Sequence, residues 1–224
     1  MPPKEKKFII LLTVFIAVLS ILNVISGKLF ELPFFGMTIS AGIICYWLSF
    51  PITDVVSEVY GRGRAQLLVW MGFWANLIVL LLSYFAVKLP PSDFWGNQEA
   101  FATTLGSVWK IVLASLLAYL AAQSHDVWAY HFWKSKTNGK HMWLRNNLST
   151  VSSQLIDSLV FNGIAFYLLG ELSTIEFLKG VVGYWLLKVV IAALDTPLVY
   201  TLHYWLTGKW SPGVEEHTET VEAQ

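Results

Sequence analysis

Six long apolar runs constrain this chain more than anything else in it. They lie near 8–27, 36–52, 66–87, 106–133, 148–169 and 175–206. Each is long enough, or nearly so, to cross roughly 30 Å of hydrocarbon as an α-helix. Backbone amides in that solvent must be satisfied within the segment, which a helix does. The second run is the shortest and ends at Pro51. The fourth and sixth are overlong, so tilt, a kink or extension past the bilayer is expected of them. Of 224 residues, 55% are hydrophobic and 13% charged, where a soluble domain carries about 25% charged residues. The expected fold is an all-α integral membrane protein of six transmembrane helices.

Charge sets the orientation. Lys4, Lys6, Lys7, Arg62, Arg64, Lys134, Lys136, Lys140, Arg145 and Lys209 fall on one side of a six-span chain, and Lys28, Lys88 and Lys179 on the other. The positive-inside rule then makes both termini cytoplasmic. The first run follows three lysines like a signal peptide, but its apolar core of about 18 residues lacks an Ala-x-Ala cleavage site, so it reads as a retained helix. Exterior connections near 88–105 and 170–176 carry Asp93, Glu99 and Glu171. Residues 1–207 form one transmembrane domain, and the polar, acidic tail 208–224 is expected to be disordered. The formal net charge is +0, so no basic surface points to nucleic acid. Cys45 stands alone and excludes an internal disulfide. No phosphate-binding Gly-rich loop is present and no cofactor is implied. The function must lie in the spans.

The polar residues within or beside the runs are Asn23, Asp54, Glu58, Asn76, Gln123, Asp126, Gln154, Asp157, Asn162, Lys188, Asp195 and His203. Such groups are costly in hydrocarbon and usually face a bundle interior or a wet cavity. For single residues such as Asn76, Gln123 or His203, an interhelical hydrogen bond is the plainer reading. Asp54 and Glu58 are four apart and share one helical face, which would let the two share a proton. Pro51 disfavours helix at Phe50, so the second span is expected to break there, with Thr53 free to cap a short continuation. A plain cytoplasmic turn is the alternative. Gln154 and Asp157 share a face with Ser153, and Lys188 and Asp195 are two turns apart on the sixth span. A structural ion pair is the alternative for Asp157 and Lys188. Pro197 should kink that helix. Lys110 and Asp126 lie nearer span ends, where side chains can snorkel. Asp54, Glu58, Asp126, Asp157 and Asp195 outnumber Lys110 and Lys188, an acidic excess that suits a donor-rich solute, a cation or protons. The Ala114-x3-Ala118-x3-Ala122 stripe permits close helix approach, inside the bundle in preference to a homo-oligomer seam. The recurring Asp54…Tyr60 and Asp195…Tyr200 hint at a 3+3 inverted repeat.

Three motifs in order carry a resemblance. They are Phe-Pro-Ile-Thr-Asp-x3-Glu-x-Tyr-Gly at 50–61, Trp-Leu-Arg-Asn-Asn-x-Ser-Thr-x2-Ser-Gln-x-Ile-Asp-Ser at 143–158, and Lys188-x6-Asp-Thr-Pro-x2-Tyr200. Together with Phe161 and Ile164-Ala-Phe166 they resemble the queuosine precursor transporters, a vitamin-uptake-like family of six-span proteins, over roughly residues 10 to 206. The resemblance implies import of 7-cyano- or 7-aminomethyl-7-deazaguanine across a bacterial inner membrane, without catalysis. It carries over Asp54, Glu58, Tyr60, Arg145, Asn146, Ser149, Thr150, Gln154, Asp157, Lys188, Asp195 and Pro197. The candidate solute-binding set is Asp54, Glu58, Gln154, Asp157, Lys188, Asp195, Asn76 and Asn162. Chemistry agrees, because a carboxylate accepts both N–H groups of a guanine-like edge, and an aromatic face stacks on the bicycle. The family is similar to the substrate-binding components of energy-coupling-factor transporters, which often show Ala-x3-Ala in their first helix. Thr13-x3-Ala17 stands here instead, which argues against an ATPase partner. A binding subunit of such an importer is the alternative function. An intramembrane protease built from Asp157 and Asp195 lacks the Tyr-Asp and Gly-x-Gly-Asp motifs that such enzymes carry, and a mere scaffold has little use for five buried acids.

Overall fold

The computed structural model describes residues 1–25, 28–31, 38–106, 109–167 and 173–210. The side chains of Asn23, Lys110 and Phe166, the residue Glu171, and the tail from 211 onward lie outside the described residues. Helix α1 spans Pro3–Ile25, α2 Ile43–Lys88, α3 Gln98–Gly106, α4 Trp109–Lys136, α5 Met142–Asn162 and α6 Thr174–Thr207. A single π-helical turn, Gly163–Tyr167, follows α5. Two three-residue strands, β1 (Leu29–Glu31) and β2 (Thr38–Ser40), pair antiparallel between α1 and α2. Among the described residues the fold is therefore helical apart from this small ladder.

The 46-residue α2 is two rods. Gly61 has φ 83 and ψ 174, a conformation that essentially only glycine adopts. Ser49 before it and Asn76 after it line one cleft, so the legs 43–60 and 62–88 fold back on each other. Five long helices thus supply six helical legs. The expectation of a break at Pro51 is corrected: helix runs through Pro51, and the turn comes ten residues later. Proline lacks an N–H but its φ suits a helix. In a bundle, neighbouring groups take over the satisfaction of freed carbonyls. Thr53 caps nothing, and its Oγ1 instead donates to the Ser49 carbonyl at 3.1 Å. The leg accordingly covers 43–60 in place of 36–52, and Asp54 and Glu58 lie within it. α6 likewise continues through Pro197. At about 1.5 Å per residue it is roughly 50 Å long, which matches the expected overlong sixth span.

α5 packs between α4 and α6, and α2 packs on α1, α4 and α6. Phe15 and Leu19 of α1 meet Leu68 and Val69 of α2 in the apolar core. Gly72 makes this approach possible, because a Cβ there would lie 2.6 Å from Leu19 Cδ1 and 2.5 Å from the Tyr119 hydroxyl. That hydroxyl donates to the Val69 carbonyl at 3.0 Å. Ala114, Ala118 and Ala122 are all buried, so the small-residue stripe packs within this chain as expected.

Polarity is inverted on several helices. The buried face of α5 is almost wholly polar, from Arg145 through Ser149, Thr150, Ser153 and Gln154 to Asp157 and Asn162. Leu155 and Leu159 point outward, as do Ile78, Leu82 and Phe85 on α2 and Leu186, Val190 and Leu194 on α6. Water does not favour this distribution and a bilayer does. Trp47–Lys88 and Phe177–Thr207 are long and apolar enough to cross a membrane.

One end of the bundle is stitched by polar contacts. Lys7 Nζ donates to the Trp205 carbonyl at 2.6 Å, the Tyr60 hydroxyl donates to the Lys4 carbonyl at 2.8 Å, and Arg64 pairs with Glu5 at 2.5 Å. The start of α1 therefore meets both the end of α6 and the turn between the two legs of α2, at the end that carries most of the lysines and arginines.

Candidate functional site

The polar face of α5 organises the interior. Helical spacing puts Asn146, Thr150, Ser153, Gln154 and Asp157 on one side, against α4, α2 and α6. Trp185 of α6 donates from Nε1 to the Val151 carbonyl at 2.9 Å, and Asn147 donates to Thr196 Oγ1 at 3.1 Å. These bonds hold α6 in register with α5.

Two narrow clefts open on this face and share Phe50. Asn76, Gln123, Asp157, Ser49 and Tyr119 are among the residues lining the first. Thr150, Gln154, Lys188 and Asp195 are among those lining the second. Lys188 Nζ donates to Asp157 Oδ2, so one ion pair joins the two clefts. Both ends of the buried Gln154 side-chain amide lack a hydrogen-bond partner, as do Asp195 Oδ1 and Gln123 Oε1. Native interiors seldom leave such groups unpaired. An edge presenting both donors and acceptors would satisfy them.

The expected site residues separate into four places. Gln154, Asp157, Lys188, Asp195 and Asn76 line the clefts. The structure forms the Asp157–Lys188 pair that was the alternative reading for both residues. Asp54 is buried and is not among the residues lining either cleft, and its carboxyl faces Asp126 and Asp195. Glu58 turns elsewhere. Its Oε2 accepts from the Tyr130 hydroxyl at 2.8 Å and lies 2.7 Å from Arg145 Nη2, while Oε1 lies 3.3 Å from Lys134 Nζ. The Arg145 contact is an ion pair off the hydrogen-bond direction, since Nη2 has no aligned acceptor. Arg145 is fully buried and also donates through Nη1 to the Gly139 carbonyl at 2.6 Å. Glu58 thus clamps the end of α4 and the start of α5 onto α2. Asn162 donates to the Ser158 carbonyl at 2.8 Å, within α5.

Asp126 does not reach an interface. It is fully buried and accepts from Ser153 Oγ at 2.9 Å, which corrects the snorkelling expectation. Sequence reasoning also left out Phe50, Thr150 and Gln123 from the site. The Gln123-x2-Asp126 spacing, which puts both on one helical face, was the available signal. Among the described residues no group of three or more His, Cys, Asp or Glu side chains is placed to hold a metal ion.

A family model described as "Putative vitamin uptake transporter" matches residues 40–202. The chain belongs to this family. The match takes in both legs of α2 and everything through most of α6, hence every cleft residue except those of α1. Among curated relatives of this vitamin-uptake-transporter chain, a "Probable queuosine precursor transporter" of Bacillus subtilis (strain 168) is 32% identical over 167 residues, covering 74% of this chain and 72% of the relative. A "Queuosine precursor transporter" of Escherichia coli (strain K12) is 28% identical over 144 residues, covering 63% and 62%. No solved structure matches the chain. The vitamin-uptake family is thus joined here to a bundle whose buried polar face belongs to the matched region.

Proposed function

We propose that this protein imports a queuosine precursor, 7-cyano- or 7-aminomethyl-7-deazaguanine, across a bacterial cytoplasmic membrane. Two relatives bear the name queuosine precursor transporter. The observation that carries the chemistry is the buried Gln154 amide, without a protein partner, in one cleft with Asp195 and Lys188. A guanine-like edge offers N–H donors to Asp195 and to Gln154 Oε1, and an exocyclic oxygen to Gln154 Nε2 or Lys188. Phe50, shared by both clefts, supplies a stacking face. Asp157 and Asn76 extend the site toward the first cleft, where an aminomethyl cation would find the Asp157 carboxylate. The clefts must widen to admit a bicycle, as alternating access requires. In this reading the six helical legs all cross the membrane as one domain, 1–207. The basic end faces the cytoplasm with both termini, and the two sets of three legs form an inverted repeat.

The test is thermal stabilisation of the purified protein by 7-cyano-7-deazaguanine against guanine, adenine and thiamine. A selective upward shift in Tm at saturating ligand is expected, because binding only the folded state stabilises it. Equal or absent shifts for all four sink the reading.

A further inference from the structure

Asp54, on the first leg of α2, is buried, and neither of its carboxyl oxygens receives a hydrogen bond from a protein donor. Its carboxyl sits within hydrogen-bond reach of the Asp126 carboxyl on α4. Two facing carboxylates have no donor between them, and one proton supplies it. The remainder of Asp126 is held by Ser153, whose Oγ donates to Oδ1, while Oδ2 has no protein donor. Neither acid lines a cleft, but Asp195 of α6 does, and it interacts with both. A second unpartnered buried group, the Gln154 amide, lies with Asp195 in that cleft.

From α4 the pair is faced by Tyr130 and from α6 by Asp195. α5 brings Ser149 and Ser153, and its Arg145 is committed with Lys134 to Glu58. α1 meets α2 through apolar Phe15 and Leu19, and α3 touches only the far end, where Gln98 donates to the Val87 carbonyl at 3.0 Å. Among the described residues, no lysine, arginine or histidine acts on either carboxyl.

We propose that Asp54 and Asp126 form a single-proton site, read by the solute through Asp195, that couples uptake to proton entry. The pair takes one H⁺ from the outer side to become an acid–carboxylate pair of net charge −1. It releases that H⁺ to the cytoplasmic side once solute has bound at Asp195 and the bundle has reoriented. The proposal rests on the solute reading above for its coupling step, but the proton site itself does not need it.

Infrared difference spectroscopy of the purified, lipid-reconstituted protein tests the site without solute. A C=O stretch of a protonated carboxylic acid is expected at neutral pH. It should vanish in Asp54→Asn and in Asp126→Asn, each checked for a folded, monodisperse state, and persist in the exposed-loop control Asp93→Asn. An absent band, or one retained in both variants, overturns the site. Proteoliposomes with a trapped pH dye then test coupling with labelled 7-cyano-7-deazaguanine. Wild type should carry protons inward with the solute, and Asp126→Asn should lose this while still exchanging solute downhill. Solute entry without proton movement in wild type overturns the coupling. Protein that shows the band but neither binds nor moves this probe overturns the proposed substrate instead, and leaves the proton site standing.

Discussion

Asp157 and Lys188 show how a buried charge can serve two purposes. Their ion pair ties α5 to α6 and also joins the two clefts. Only 10% of the Lys188 side chain and 6% of that of Asp157 is exposed, so neither charge is well screened by solvent. Removing one partner of such a pair typically costs about 3–5 kcal/mol, because the other charge stays buried. Asp157→Asn should therefore lower the Tm markedly, and the double variant Asp157→Asn/Lys188→Met should recover most of it. Affinity for 7-cyano-7-deazaguanine should stay roughly ten- to hundredfold down in the double variant, the loss of one charge-assisted hydrogen bond of about 1.5–3 kcal/mol. Full affinity there would assign the pair to architecture alone. Thermal melts and equilibrium binding on the same samples decide it. Glu58 differs, because two cations and a tyrosine already satisfy it and little of its capacity remains for a solute.

The decisive element is α2, and its decisive residue is Gly61. A side chain at φ 83 and ψ 174 is strained by about 1–3 kcal/mol. Nothing lies within 4 Å of a Cβ placed there, so that cost is conformational and not a clash. Gly63, two residues on, is helical and equally open, and alanine in such a position gains about 0.5–1 kcal/mol. Gly61→Ala should lower the Tm, and Gly63→Ala should leave it unchanged or raise it. The opposite ranking would mean that the turn between the two legs lies elsewhere. The same element explains why Pro51 was misleading. A proline removes one helix hydrogen bond, whereas a backbone at positive φ changes the direction of the chain.

At the scale of the whole molecule, the chain presents leucine, isoleucine and phenylalanine outward and carboxylates, amides and an arginine inward. Such a body is stable in hydrocarbon, and the proposed orientation puts its basic end in the cytoplasm. The only cysteine, Cys45, is buried, so a Cys45→Ser background gives a clean reporter. In that background Ser92→Cys, on the exposed connection between α2 and α3, should react with an impermeant thiol reagent in intact cells. Lys140→Cys, between α4 and α5, should react only after permeabilisation. Labelling of both sites in intact cells, or the reverse pattern, would overturn the proposed orientation.

How much of this was legible beforehand follows from range. Six apolar runs foretell six helical legs, because a backbone among apolar side chains satisfies itself most readily as a helix. Spacing of three and four along α5 likewise placed Ser153, Gln154 and Asp157 on one face, where they are found. Position along one helix says nothing of which helix stands opposite. Asp54 and Glu58 share a face by spacing, yet Asp54 meets Asp126 some 70 positions away and Glu58 meets Arg145. A carboxylate in a dry interior takes whatever charge or proton the neighbouring helix brings, and that neighbour is decided by packing. The turn at Gly61 was hidden for a related reason: Gly61 and Gly63 are the same residue type, and only the assembled bundle requires one of them, at positive φ, to send α2 back on itself.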